Sequence, residues 1–317
     1  MKIRFGYVST AVSLWEASPA RTLTYTRYEK MGEEERYSKL LEVTSLNLKS
    51  TRRMLFYNLA HEIEVYRLSS SIVPLATHPE VRWDFVTPFR KEWTELGEII
   101  RENGLRVSFH PNQFTLFTSP RVEVTNNAVG DMDFHFRMLE AMGVEKTSVL
   151  NIHIGGAYGD KEKTILRFHD NLKKLPRHIK EVMTLENDDK TYNADETLIA
   201  CEKENIPFVF DYHHHMANQG ELPLEEILSR IFPTWKKKNQ QPKIHISSPK
   251  SEKAFRSHAD FVDADFLMPL IVVLREHGMD VDFMIEAKMK DLAMLKLIED
   301  ISKIRGVRRI SGGAVEM

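Results

Sequence analysis

Eight short, largely apolar runs recur along the chain, at residues 3–8, 65–68, 105–109, 148–152, 182–185, 207–210, 243–246 and 281–285. Amphipathic stretches alternate with them, at 33–61, 88–103, 122–142, 161–175, 194–204, 224–231, 264–277 and 292–304. The apolar residues of these stretches follow the helical period, as at Leu40, Leu41, Thr44, Leu48, Thr51 and Leu55. Several close on turn signals: Asn103-Gly104, Met142-Gly143 and His277-Gly278. A strand followed by a helix, eight times over, predicts an α/β fold of the (β/α)8 TIM-barrel type. An open doubly wound sheet is the alternative. The barrel is preferred because the count closes at eight and the strands are short and β-branched.

The 317 residues suit one such barrel, which takes about 250 residues plus insertions. No linker, low-complexity tract or composition break divides them, so residues 1–317 are expected to form a single TIM-barrel domain. The most polar segment, 236–241, reads as a surface loop before a strand. The formal net charge of −2 excludes a strongly basic coat protein, though not a local basic groove. A single cysteine, Cys201, excludes a disulfide framework and any thiolate metal cluster. The N-terminus lacks the apolar stretch of a signal peptide. The longest apolar run, near Phe266 to Leu274, contains Pro269 and is far short of the ~20 residues that cross a bilayer. A cytoplasmic protein without membrane association is therefore expected. The compositional outlier is histidine, with 13 residues.

Three of these histidines fall at the ends of predicted strands, in company with carboxylates. Strand three runs into His110, strand four into His153, strand five into Glu186, strand six into Asp211 and strand eight into Glu286, while strand seven carries His245. All six fall at the C-terminal ends of consecutive strands, which in a barrel is the active face. A lone histidine or carboxylate there is more often an ordinary core or surface group. Six together would be very costly to bury without metal ions. Imidazole and carboxylate without thiolate suit zinc, manganese or iron. His214, three residues after Asp211, and His258, after strand seven, are further candidates. Eight ligands exceed the four of one tetrahedral site, so a cluster of two or three ions is expected. His61, His135, His169, His178 and His277 lie in or at the ends of helical segments and are read as structural.

Lys243 lies two residues before His245 and shares its face of the strand, as Lys288 does with Glu286. A lysine pointing into the barrel must pair with a carboxylate, lose its charge or be modified. An ordinary ion pair is the simpler reading of Lys243. A carboxylated Lys243 bridging two ions is the other.

The sequence closely resembles the ultraviolet damage endonucleases. The resemblance runs from Phe5-Gly6-Tyr7-Val8-Ser9 to Glu286-Ala287-Lys288. It is carried by Tyr66-Arg67-Leu68-Ser69-Ser70-Ser71, Ser108-Phe109-His110-Pro111-Asn112-Gln113-Phe114, His153-Ile154-Gly155-Gly156-Ala157-Tyr158-Gly159, Leu185-Glu186-Asn187-Asp188, Asp211-Tyr212-His213-His214 and Lys243-Ile244-His245. The resemblance implies a TIM barrel related to endonuclease IV and to xylose-isomerase-like sugar enzymes. It implies nicking of duplex DNA immediately 5′ to cyclobutane pyrimidine dimers, 6–4 photoproducts and abasic sites, leaving 3′-hydroxyl and 5′-phosphate ends. The implied cofactor is a divalent metal cluster, most often Mn2+, with Zn2+ or Co2+ as alternatives. The matching metal positions are His110, His153, Glu186, Asp211, His214, His245, His258 and Glu286. The implied partner is damaged double-stranded DNA; the protein itself is expected to be a monomer.

Ser69-Ser70-Ser71 stands where related barrels can place a histidine ligand, so one ion is expected to bind more weakly or keep more water. The lesion-probing pair of the family appears as Gln113-Phe114, and Thr10 stands where relatives often have asparagine.

The implied mechanism is in-line attack by a metal-generated hydroxide, with no protein nucleophile. Glu186, His110, Glu286 and Lys243 are the expected catalytic groups, and Lys243 could stabilise the transition-state charge. Gln113 and Phe114, with Asn112 and Thr10 beside them, would contact the lesion and fill the space left by extruded nucleotides. Tyr7 is a candidate for stacking on an extruded base, or else a plain packing aromatic. Lys161 and Lys163 are candidate phosphate contacts. The alternative function on the same barrel is a metal-dependent sugar isomerase or epimerase, which would need an enclosed small-molecule pocket.

Overall fold

The computed structural model describes residues 1–317. Eight strands pair in parallel, each with the next: β1 (Lys2–Val8), β2 (Val65–Arg67), β3 (Arg106–Phe109), β4 (Val149–His153), β5 (Met183–Glu186), β6 (Phe208–Asp211), β7 (Lys243–Ile246) and β8 (Val281–Ile285). β1 also pairs with β8, so the sheet closes into the expected barrel and the open-sheet alternative falls. Around it lie α1 (Tyr25–Tyr28), α2 (Glu33–Ala60), α3 (Arg90–Glu102), α4 (Val122–Met142), α5 (Lys161–Leu172), α6 (Arg177–Lys180), α7 (Ala194–Glu204), α8 (Tyr212–Ala217), α9 (Leu224–Trp235), α10 (Ala264–His277) and α11 (Lys290–Ile301). No helix is long and apolar enough to cross a membrane.

Local sequence sets the helix ends. Asp160, Asn193, Asp211 and Asp263 each accept a hydrogen bond from a backbone N–H in the first turn of α5, α7, α8 and α10, satisfying donors the helix itself leaves free. Asn193 forms a full capping box with Glu196. Gly143 and Gly278 close α4 and α10 in the left-handed conformation, as the turn signals predicted.

The main apolar core lies between strands and helices, drawing on residues from Ile3 to Val315. The barrel interior is different. Within it, Val8, Val65 and Met284 form a small apolar cluster. At its lower end Asp282 bridges Arg4 and Arg106, binding Arg4 Nε at 2.7 Å.

Two strands were not foreseen. β9 (Arg308–Ser311) and β10 (Ala314–Glu316) form a hairpin whose second strand pairs antiparallel with Lys2–Arg4 of β1. β1 meets β2 only over Gly6–Val8, so the hairpin covers the part of β1 that β2 leaves unpaired. Gly312-Gly313 makes the turn, and a Cβ on Gly312 would stand 1.9 Å from the His61 carbonyl oxygen.

Candidate metal centre

Register brings the strand-end residues together. His153 pairs with Glu186 across β4 and β5, and Asp211 pairs with His245 across β6 and β7. Paired residues on neighbouring strands share a face, so all four side chains point into the barrel mouth. Three ligand sets result: His110, His153 and Glu186; Glu186, Asp211 and His214; Glu186, His245 and Glu286. Within each set the candidate ligand atoms lie within 4.8 Å of one another. Glu186 belongs to all three. Its Oε2 lies 3.1 Å from both His110 Nε2 and His245 Nδ1, and its Oε1 lies 3.5 Å from His214 Nδ1.

The spacing of Asp211 and His214 has a local cause. Asp211 is the N-cap of α8, and its Oδ1 accepts from the His214 backbone N–H at 2.7 Å. That bond places the two side chains over the same point, with Oδ2 and Nδ1 3.8 Å apart. Asn187 extends the β5–β6 pairing beyond the strands: its side chain donates to the Asp211 carbonyl and accepts from the Asp211 N–H, both at 2.9 Å. Its own carbonyl accepts from His214 Nδ1 at 3.0 Å, which leaves Nε2 as the free ring nitrogen. His110 is oriented in the same way, its Nδ1 lying 2.9 Å from the Pro111 carbonyl oxygen.

The electrostatics are those of a mutually neutralising cluster. Burial alone would push the Glu186 carboxyl up, but His245, His153 and His110 outweigh it and hold it well below the usual range. Burial opposes the charge on Glu286 too, and is outweighed by Arg67 and His245. Asp211 goes the other way, its carboxyl pushed up chiefly by burial. For His214 and His245 burial opposes protonation, yet the facing carboxylates push both up to about 9. Several buried polar atoms still lack a hydrogen-bond partner, among them Glu186 Oε1, Asp211 Oδ2 and His153 Nδ1. Orphaned lone pairs on converging carboxylates and imidazoles fit divalent cations as the missing partners.

The remaining expectations fare differently. His258 lies outside the three sets; its Nδ1 is 2.8 Å from the Glu286 carbonyl oxygen and its ring centre 6.1 Å from that of His214. His213 is fully engaged, with Nδ1 at 2.7 Å from Ser247 Oγ and Nε2 at 2.6 Å from the Phe255 carbonyl oxygen. Lys243 has no carboxylate partner; its Nζ donates to Ser108 Oγ on β3 at 2.8 Å. Ser70 donates to the His110 carbonyl at 2.8 Å, so the serine run supports the loop of one candidate ligand. Asn112, Gln113 and Phe114 are exposed on the loop after β3, and Phe114 is 71% exposed. Asn112 also shapes that loop by accepting from the Phe114 N–H at 2.8 Å. Thr10 is half-buried on the loop after β1, beyond the left-handed Ser9. Lys161 and Lys163 are engaged by Glu196 and Asp160.

Tyr7 requires a correction. It is 0% exposed and its hydroxyl donates to Asn58 Oδ1 on α2 at 2.7 Å. Tyr7 pairs with Ile285 across β1 and β8, whereas Gly6 pairs with Met284, so Tyr7 faces the helices and cannot stack on a base.

Three contributors were missed. Arg67, the last residue of β2, pairs with Glu286. Asn151 donates to Glu186 Oε2 and accepts from Thr184 Oγ1 at 2.8 Å. Asn187 is the third. Arg67 ends its strand as the ligands end theirs, and Asn151 stands two residues before His153, so strand parity could have found both.

A closed parallel barrel with a histidine–carboxylate cluster at its C-terminal mouth defines a TIM-barrel enzyme of the kind that works from that face. Residues 3–317 match the family model described as UV-endonuclease UvdE. A relative from Bacillus pumilus, described as a UV DNA damage endonuclease, is 61% identical over 317 residues, covering 100% of this chain and 99% of its own. The crystal structure of SacUVDE superimposes with a TM-score of 0.85 at 31% identity, covering 95% of this chain and 98% of that one. A xylose isomerase domain protein from Planctomyces limnophilus is similar with a TM-score of 0.51 at 16% identity, covering 78% of this chain and 91% of that one, a likeness of fold alone. The chain belongs to the UvdE family of UV endonucleases.

Proposed function

We propose that this enzyme nicks duplex DNA immediately 5′ to ultraviolet photoproducts and abasic sites, leaving 3′-hydroxyl and 5′-phosphate ends. The observation that carries this reading is the meeting of three ligand sets on Glu186, directly beside the exposed Gln113-Phe114 loop that leaves the His110 strand. His110, His153, Glu186, Asp211, His214, His245 and Glu286 would hold two or three divalent ions, manganese being the first candidate, and His258 would complete the set. Such ions supply charge neutralisation at the phosphodiester and acidify water for attack on phosphorus.

The chain's own residues do the positioning. Asn151 fixes one oxygen of Glu186, and Arg67 with His245 fixes Glu286. Backbone carbonyls of Asn187 and Pro111 set the ring orientations of His214 and His110. Gln113 and Phe114 stand clear of the protein, where a side chain can enter a duplex already weakened by a lesion. Lys243, buried below the cluster with only Ser108 Oγ as its side-chain partner, is placed to be carboxylated.

The deciding assay is cleavage of a duplex carrying one thymine dimer, with added manganese, an EDTA control, and Glu186→Gln and His110→Ala variants. A metal-dependent cut directly 5′ to the dimer, lost in both variants, is expected. Absence of any cut in dimer or abasic DNA, with metal bound, would overturn the reading in favour of a sugar isomerase on the same barrel.

A further inference from the structure

Tyr158 lies five residues beyond the candidate ligand His153, on the loop joining β4 to α5. It is not glycine, yet its φ is +48°. Gly155 and Gly159 around it also have positive φ, of 116° and 81°. A left-handed backbone costs a tyrosine free energy that it would not cost glycine. Such conformations persist where the surroundings hold them, and they concentrate at working sites. Here the Ala157 carbonyl accepts from Thr164 Oγ1 at 2.6 Å and from the Asp160 N–H at 3.1 Å. The residue that this backbone presents is 48% exposed, so about half of it stays open to solvent.

The loop is also locked against its neighbour. A Cβ on Gly155 would stand 2.7 Å from Thr118 Oγ1 and 2.9 Å from Leu116 Cδ2, so only glycine fits there. Leu116 and Thr118 belong to the loop that carries Gln113 and Phe114. Arg167 of α5 reinforces the junction by donating to the Thr118 carbonyl at 2.9 Å. Two exposed aromatic side chains, Phe114 and Tyr158, thus stand on two interlocked loops beside the metal centre. Tyr7, the other aromatic candidate for receiving a base, is buried against α2.

We propose that Tyr158 is a fixed stacking platform for an unpaired base of the damaged duplex, working opposite the Gln113-Phe114 wedge. This rests on the damaged-DNA reading above. Stacking on aromatic rings tolerates any base, because every base offers a π-face, and it requires the base to be out of the duplex. The contribution of Tyr158 therefore belongs to lesion-bearing DNA.

The test is fluorescence anisotropy of the full chain with a labelled dimer duplex and its undamaged counterpart, for wild type, Tyr158→Phe, Tyr158→Ala and Tyr158→Gly, with Tm measured in parallel. Tyr158→Ala and Tyr158→Gly are expected to bind the dimer duplex roughly tenfold more weakly. Their binding to undamaged duplex should hardly change, and Tyr158→Phe should stay near wild type. Tyr158→Gly should keep or raise Tm, because glycine relieves the left-handed backbone. Equal losses on both duplexes, unchanged dimer binding, or a Tm that falls together with affinity would each overturn the proposal. A wild-type protein without preference for the dimer duplex would overturn the damaged-DNA reading, and this inference with it.

Discussion

Lys243 reaches across the barrel interior and donates to Ser108 Oγ at 2.8 Å, so a buried lysine on β7 ends on a neutral hydroxyl of β3. Burial, with Arg106 adding repulsion, pushes its amine well below the ordinary lysine value. An uncharged amine is the form that adds carbon dioxide to give a carbamate and a proton. The ion-pair reading of Lys243 has no partner here. We expect native mass spectrometry in bicarbonate to show a gain of one carbon dioxide that disappears in Lys243→Arg. Absence of that adduct from the wild-type spectrum would show that Lys243 is a plain amine.

Glu186 is the residue common to all three ligand sets, so its loss should be felt at each of them. Glu186→Gln removes the negative charge that faces His110 and His245 but keeps the shape. Nicking is expected to drop by more than about 100-fold, with fewer metal ions per chain by elemental analysis and an unchanged far-UV spectrum. Full metal content in the variant would show that the carboxylate is not a ligand.

Metal loading should release protons. His214 and His245 are pushed up to about 9, above the ordinary imidazole value, so both carry protons at neutral pH. A cation needs the lone pair that the proton occupies. Apparent metal affinity should therefore fall as pH drops below about 9, by up to about tenfold per pH unit for each proton displaced, and level off above it. Calorimetry in buffers of different ionisation enthalpy reads the proton count directly; a buffer-independent heat would contradict this.

Asp282 is fully buried between Arg4 and Arg106 at the lower end of the barrel. Asp282→Asn leaves two guanidinium groups facing each other without their shared anion. Chemical denaturation should show a loss of about 3–5 kcal/mol, the usual cost of breaking a buried pair from one side. A loss under about 1 kcal/mol would mean that water already solvates these arginines. Metal content of the folded variant should stay at the wild-type level, because the pair lies at the opposite end of the strands from the cluster.

Eight apolar runs and eight amphipathic stretches can be read from local periodicity, which is enough to predict a barrel and hence which strand ends face the mouth. His110, His153, Glu186, Asp211, His245 and Glu286 follow from that alone, because they end their strands or lie within a residue of doing so. His214 follows from an equally local fact, the N-cap geometry of Asp211. What periodicity leaves open is which face of a strand turns inward. That is settled by register with the neighbouring strands, which depends on residues far away in sequence. β1 shows the consequence: Gly6 pairs with Met284 and Tyr7 with Ile285, so Tyr7 is turned into the helix layer. Arg67 on Glu286, Lys243 on Ser108 and the hairpin closing on Lys2–Arg4 are likewise meetings of distant segments. Local chemistry chose the ligands, and barrel closure chose their partners, because only closure fixes distances between strands.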